Sequence, residues 1–308
     1  MQTEFPNVSK AEWLAKVEKD LKGKPLEGLN WEVEGEIYSP FWHREDLAHP
    51  PIAISEKGIQ SANHWLIGER IYVTDVGKGN KQILEALLNG AQAISIVMEK
   101  PLVATDREQL LKDVELGWIS VYEETADGIS GEGVRHFDVR NKEEEATLRQ
   151  LAKALHVAYQ QNSGADYTPA FWLNSSEDFF VTIARLRALR LCWQQIQDAL
   201  KQENTCEIFV QVSPGPEASE HNNKIRATTQ AMAAVLGGVD VLFIDPSDGR
   251  EGTAFSRRIA RNVQHLLIEE SHLGKVTDPA AGSYYIEALT DTIAKKIWEE
   301  FQQISKHG

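Results

Sequence analysis

Apolar positions change their rhythm along the chain. Near the start, Trp13, Val17 and Leu21 recur every four residues, the spacing of one helix face. Ser9 and Glu12 precede that run as a capping box does, and Gly23 is placed to end the helix. The following stretch, LEGLNWEVEGEIYSPFW, is punctuated by Gly and Pro and partly alternates, so it reads as an extended arm that packs onto something else. The pattern divides the chain into an N-terminal arm, residues 1–50, and a main domain, residues 51–308.

From residue 64 strand and helix patterns take turns. Apolar, β-branched runs at 64–73, 92–98, 118–124, 133–139, 168–174, 206–212 and 239–246 predict seven strands of the kind a buried parallel sheet needs. Between and after them, helical spacing predicts helices over 80–89, from a Thr105–Glu108 capping box, over 142–161, 179–200, 255–270 and 288–305, with one more ending at Gly237-Gly238. In the helix from Phe179, Arg185, Arg187 and Arg190 fall on or near the faces away from the apolar stripe. Such alternation implies a parallel sheet with helices outside, either doubly wound or closed as a (β/α)8 barrel. One link is too short: the eight residues 125–132 leave no room for a crossover helix, so either that strand pair is antiparallel or a barrel has lost a strand–helix unit. Ile94, Ile96, Val121, Phe171, Phe209, Val241 and Phe243 are the expected core.

Composition narrows the function classes. Lys and Arg number 32 against 46 Asp and Glu, a net charge of −14, which argues against nonspecific nucleic-acid binding. The two cysteines, Cys192 and Cys206, cannot build a disulfide framework or a cysteine-rich zinc site, and two buried thiols are the simpler reading than one bridge. The N-terminus lacks a basic segment followed by an apolar run, and no stretch is long enough to span a bilayer; the expectation is a cytoplasmic protein with no membrane partner.

Residue types that carry chemistry are sparse. HExxH, GxxxxGK[ST] and EF-hand patterns are absent from the sequence. Gly77-Lys78-Gly79 lies between a strand and a helix, where phosphate loops occur, but an ordinary turn is the commoner meaning. His136 stands out because it falls on an inner strand beside Arg135 and Asp138; it is the catalytic candidate, against the commoner buried, hydrogen-bonded histidine. Arg226, on the helix after residues 206–212, is the substrate-binding candidate, against a salt-bridged helix arginine. Glu143-Glu144-Glu145 suits the first turn of a helix.

The segments DFFVTIARLRALRLCW, NNKIRATTQAMAAVLGG, FSRRIARNVQHLLIEE and KVTDPAAGSYYIEALT, in unbroken order, resemble the methylmalonyl-CoA mutase family. The opening FPNVSKAEWLAKVEKDLKGKPLEGL resembles the N-terminal arm of that family's small, non-catalytic subunits. The resemblance implies a TIM-type (β/α)8 barrel, here with one strand–helix unit lost, through which acyl-CoA threads in catalytic members. A linker and a cobalamin domain follow in the family, and adenosylcobalamin supplies the radical.

The family's site positions depart from that pattern. Its sixth-strand Arg-x-Ser falls at Thr168 and Ala170. The His and Gln of Thr-His-Ser-Gln-Thr fall at Val210 and Val212, and on the last strand Phe243 stands for a His and Asp245 for an Asn. Asp240 and Asp245 would also repel an anionic substrate. His136 is the position that could match the family's Gly-Tyr-His motif, and the cobalt-ligand loop Asp-x-His-x-x-Gly occurs nowhere in the 308 residues. The expectation is a chain with the cobalamin domain absent, binding no cofactor or metal alone, inactive alone, and either paired as a heterodimer with a catalytic mutase chain or self-associated. Two alternatives stay open: a catalytic barrel whose cobalamin domain lies on another chain or was truncated, and an acyl-CoA-binding module.

Overall fold

The computed structural model describes residues 8–33, 36–47, 64–131, 133–140, 147–162, 168–215 and 219–307. The arm begins with helix α1 (Lys10–Leu21), where the Ser9–Glu12 capping box is present and Lys22 and Gly23 both take positive φ to end it. A short antiparallel hairpin follows, β1 (Trp31–Val33) with β2 (Glu36–Tyr38). Trp13 packs edge-on against Phe41, and Lys10 pairs with Asp46. Tyr38 is buried in the main core and Trp31 packs partly against it, so part of the arm's aromatic surface covers this chain's own barrel.

The main domain runs β3 (Leu66–Tyr72), α2 (Val76–Leu88), β4 (Ala93–Val97), α3 (Ala104–Leu110), β5 (Ser120–Thr125), β6 (Gly128–Gly131), β7 (Arg135–Asp138), α4 (Thr147–Gln161) and β8 (Pro169–Asn174). It continues with α5 (Phe179–Leu200), β9 (Glu207–Val212), α6 (Glu220–Leu236), β10 (Val241–Ile244), α7 (Ala254–Glu269) and α8 (Tyr284–His307). The strands form one eight-stranded sheet in the order β6-β5-β4-β3-β10-β9-β8-β7. Every pairing is parallel except that of β6, which folds back antiparallel on β5. The sheet curls until its end strands approach one another: a Cβ on Gly131 of β6 would lie 2.8 Å from His136 Nε2 on β7. The result is a nearly closed TIM-like barrel.

All seven expected strands form, and the described residues of the short link at 125–132 hold no helix. The described part of that link is instead a tight turn and the eighth strand, β6. Four helix starts differ from expectation: α2 begins at Val76 rather than 80 and α8 at Tyr284 rather than 288, and α3 and α4 differ as well. Helix α3 begins after Val103 without a side-chain cap, so the Thr105–Glu108 box does not form. Helix α4 begins at Thr147; residues 142–146, with the acidic run, lie outside the described residues.

Parallel strands buried on both faces give two apolar layers. Outside, Ile71, Ile94 and Ile96 pack against Ile83, Ala86 and Leu110 of α2 and α3. Phe171, Ile208, Val210, Val212 and Leu242 face α4–α8. Inside lie Tyr122, Ala170, Trp172, Phe209, Val241 and Phe243. Of the seven expected core residues, Phe209, Val241 and Phe243 line the barrel interior, whereas Ile94, Ile96, Val121 and Phe171 pack under the helices.

Helix α5 is buried on more faces than its apolar stripe implies. Arg185, Arg187 and Arg190 are all buried, against the expectation that they lie away from the core. Arg187 donates to Asp278 and Glu287 at 3.0 and 3.1 Å, fixing the turn that leads into α8. Arg190 bonds Asp240 at 2.7 Å and the Cys206 carbonyl at 3.1 Å. Cys192 and Cys206 are free and buried, and among the described residues no helix is long and apolar enough to cross a membrane.

Candidate functional site

The interior is a stack of rings. Trp172 is fully buried, stacked on Phe209 at 4.7 Å and on Phe243 at 5.2 Å between centroids. Tyr122 meets all three edge-on, at 5.6, 5.1 and 6.4 Å. Gly68 makes room for the stack: a Cβ there would lie 2.6 Å from Phe243 Cδ1 and 2.7 Å from the Leu242 carbonyl oxygen. Burial raises the Tyr122 hydroxyl to about 12.

His136 sits beside this stack, edge-on to Tyr122, Trp172 and Phe209. Its Nδ1 accepts a hydrogen bond from Trp172 Nε1 at 2.9 Å. Its Nε2 is buried and has no hydrogen-bond partner among the described residues. Burial lowers its pKa to about 4, so the ring is neutral at pH 7 with its proton on Nε2.

At the C-terminal ends of the strands, where barrel enzymes place their sites, charged groups close on one another. Arg70 of β3 donates Nε and Nη2 to the two carboxylate oxygens of Glu124 on β5, both at 2.9 Å. Arg140, just past β7, donates to Glu124 Oε2 at 2.7 Å and to Gln211 of β9 at 2.8 Å. Ser95 of β4 also donates to Glu124. Asp245, just past β10, accepts from Arg70 at 3.2 Å, Gln211 at 2.6 Å and Ser213 at 2.7 Å. Asp138 accepts from Arg140 Nε at 2.9 Å. The Arg140 guanidinium also lies 4.8 Å from the Trp172 ring centroid, joining the network to the ring stack. Burial opposes ionisation of Glu124, but hydrogen bonds and charge from Arg70 and Arg140 outweigh it and hold the carboxyl at about 2. The arrangement can hold charge in a fixed geometry, but its donors and acceptors already satisfy one another.

The sequence candidates do not converge on a site. Of the neighbours expected to serve His136, Arg135 reaches Gln161 at 3.2 Å and Asp138 belongs to Arg140. Arg226 forms a surface ion pair with Glu177 at 2.6 Å. Lys78 of the Gly77-Lys78-Gly79 segment lies in the first turn of α2, where its backbone N–H donates to Asp75 at 2.8 Å, so the chain's own carboxylate caps the helix.

Two expectations drawn from the resemblance need correction. On β9, Val210 and Val212 face the outer helices; Phe209 and Gln211 are the inward positions, one residue out of register. Asp240 and Asp245 are not free to repel an anion, because Arg190 and Arg70 neutralise them. Arg70, Glu124, Arg140 and Gln211 were not singled out by sequence reasoning. The available signal was adjacent charged residues within otherwise apolar strands, Glu69-Arg70 in LIGERIY and Glu123-Glu124 in VYEE.

Residues 168–308 match the methylmalonyl-CoA mutase family. A methylmalonyl-CoA mutase small subunit of Porphyromonas gingivalis is 29% identical over 397 aligned positions, covering 99% of this chain and 64% of the relative. That alignment is longer than the 308 residues here, so the relative carries segments this chain lacks. A probable methylmalonyl-CoA mutase small subunit of Mycobacterium tuberculosis is 39% identical over 150 residues, 45% of this chain and 24% of the relative. The methylmalonyl-CoA mutase of Escherichia coli is 38% identical over 153 residues, 46% of this chain and 21% of the relative. The chain therefore spans less than two thirds of the length of these relatives. The chain is a barrel protein whose sequence is similar to that of the methylmalonyl-CoA mutase family over its C-terminal part. A relative that matches along nearly the whole chain is a small subunit.

Proposed function

We propose that this chain is a non-catalytic barrel of the methylmalonyl-CoA mutase small-subunit type, supporting a separate catalytic chain of an adenosylcobalamin-dependent acyl-CoA isomerase. The observation that carries the reading is the filled barrel axis. Trp172, Phe209, Phe243 and Tyr122 occupy the interior through which an acyl chain would pass, and the Arg70–Glu124–Arg140 network closes the mouth above them.

In the family, adenosylcobalamin supplies the radical. The residues present here do not fit that group. The mouth is occupied by side chains bound to one another, and the interior histidine has one ring nitrogen on Trp172 and the other facing Gly131. Neutral His136 could donate from Nε2, but the groups packed around its ring are the aromatic side chains of Tyr122, Trp172 and Phe209. The names of the small-subunit relatives support a partner chain, and the arm's exposed Ile37 and Phe41 are available to it.

The test is coexpression with a longer mutase chain from the same genome that carries an Asp-x-His-x-x-Gly loop. A stable complex is expected, with turnover unchanged by His136→Ala in this chain. The isolated chain should show no turnover with methylmalonyl-CoA and adenosylcobalamin. Turnover by the isolated chain that disappears with His136→Ala would overturn the proposal, and saturable acyl-CoA binding by the isolated chain would favour a binding module instead.

A further inference from the structure

We propose that the barrel mouth is a carboxylate-binding site occupied by the chain's own Glu124, and that truncating this side chain opens a site for acetate or formate. The proposal stands on the geometry of the clamp and does not depend on the partner role argued above. Arg70 meets the carboxylate side-on with two N–H donors, one to each oxygen, at 2.9 Å. Arg140 adds a donor to Oε2 at 2.7 Å and Ser95 one to Oε1, so each oxygen accepts two hydrogen bonds. This is the fork geometry with which arginine recognises planar carboxylates in ligands.

The clamp is held by contacts that do not involve Glu124. Arg70 Nη1 donates to Tyr72 Oη at 2.8 Å and to Asp245. Arg140 is held by Asp138, by Gln211 and by the face of Trp172. Both guanidinium groups thus keep their orientation if Glu124 is shortened, and a preorganised site loses little on binding. Glu124→Ala removes a methylene and a carboxylate, which are the atoms of acetate less one hydrogen. Asp138 and Asp245 balance the two arginines in the variant, so the unsatisfied donors rather than a net positive charge select the ligand. A planar, two-oxygen acceptor satisfies them; chloride cannot bridge both forks.

Thermal unfolding of Glu124→Ala is measured in sodium acetate, formate and chloride at matched ionic strength. The expected result is a saturable rise in Tm with acetate, half-complete in the millimolar range as suits so small a ligand. Chloride should give no such rise, and neither should acetate acting on the wild type or on Glu124→Ala/Arg70→Leu. If Glu124→Ala does not fold in chloride, the recovery of folded protein on dilution from urea into acetate, compared with chloride, reads the same property. Equal responses to acetate and chloride, or an acetate response that survives Arg70→Leu, would overturn the proposal.

Discussion

Trp172→Phe removes one N–H donor from the centre of the barrel while leaving a ring in the stack. The donor bonds His136 Nδ1 at 2.9 Å, and no other hydrogen bond to that atom is present among the described residues. Losing it leaves a largely buried acceptor unsatisfied, which costs about 1–3 kcal/mol. The smaller ring also weakens the contact with the Arg140 guanidinium at 4.8 Å, worth about 0.5–2 kcal/mol. His136→Leu alone leaves the Trp172 N–H unpaired, at a similar cost of about 1–3 kcal/mol. In Trp172→Phe/His136→Leu neither orphan remains, so the double variant should be more stable than the sum of the single losses predicts, by about 1–2 kcal/mol. Urea unfolding at pH 7 followed by far-UV CD measures the cycle, after coincident CD and fluorescence transitions have established two-state behaviour. Losses that add to within about 0.3 kcal/mol would refute the coupling of Trp172 and His136 through this hydrogen bond.

The same histidine gives a pH signature. Because burial depresses its folded pKa to about 4, the unfolded chain binds the proton first; stability present above about pH 6.5 is lost as pH falls toward about 4, and His136→Leu should flatten that part of the curve. Glu207 has the opposite sign. Burial, then the charge of Asp240, raises it to about 7, so the native state holds its proton more tightly and stability falls as pH rises from about 4.5 to about 7; Glu207→Gln should remove that fall, up to about 3 kcal/mol by chemical denaturation at pH 8. Gly68→Ala should lower stability by about 1–3 kcal/mol, because the new methyl meets the Phe243 ring and a backbone carbonyl, and a Tm equal to wild type would contradict that packing. Tyr38→Ala should destabilise the main domain by about 3–5 kcal/mol if its burial there contributes as a core aromatic does, whereas an arm folded independently of the barrel would leave the main unfolding transition unmoved.

Local patterning in the sequence was enough to define seven strands, the alternating helices and the absence of a helix in the described part of the link at 125–131, because the period of apolar positions is a property of neighbouring residues. The α1 capping box was legible for the same reason, its two partners being three residues apart. Strand β6 was not: Gly128-Ile129-Ser130-Gly131 has neither length nor alternation, and it is a strand only because β5 lies beside it. Which face of each strand turns inward was equally hidden, since Ile208, Phe209 and Val210 are apolar on both sides and a shift of one residue exchanges interior for exterior. The ionic closure of the mouth was least legible. Arg70 lies 54 residues from Glu124 and 175 from Asp245, separations over which no local pattern carries information. Only the curling of the sheet, which brings β10 beside β3 and places the ends of β5 and β7 across from them, turns those scattered charges into one satisfied network over a filled core.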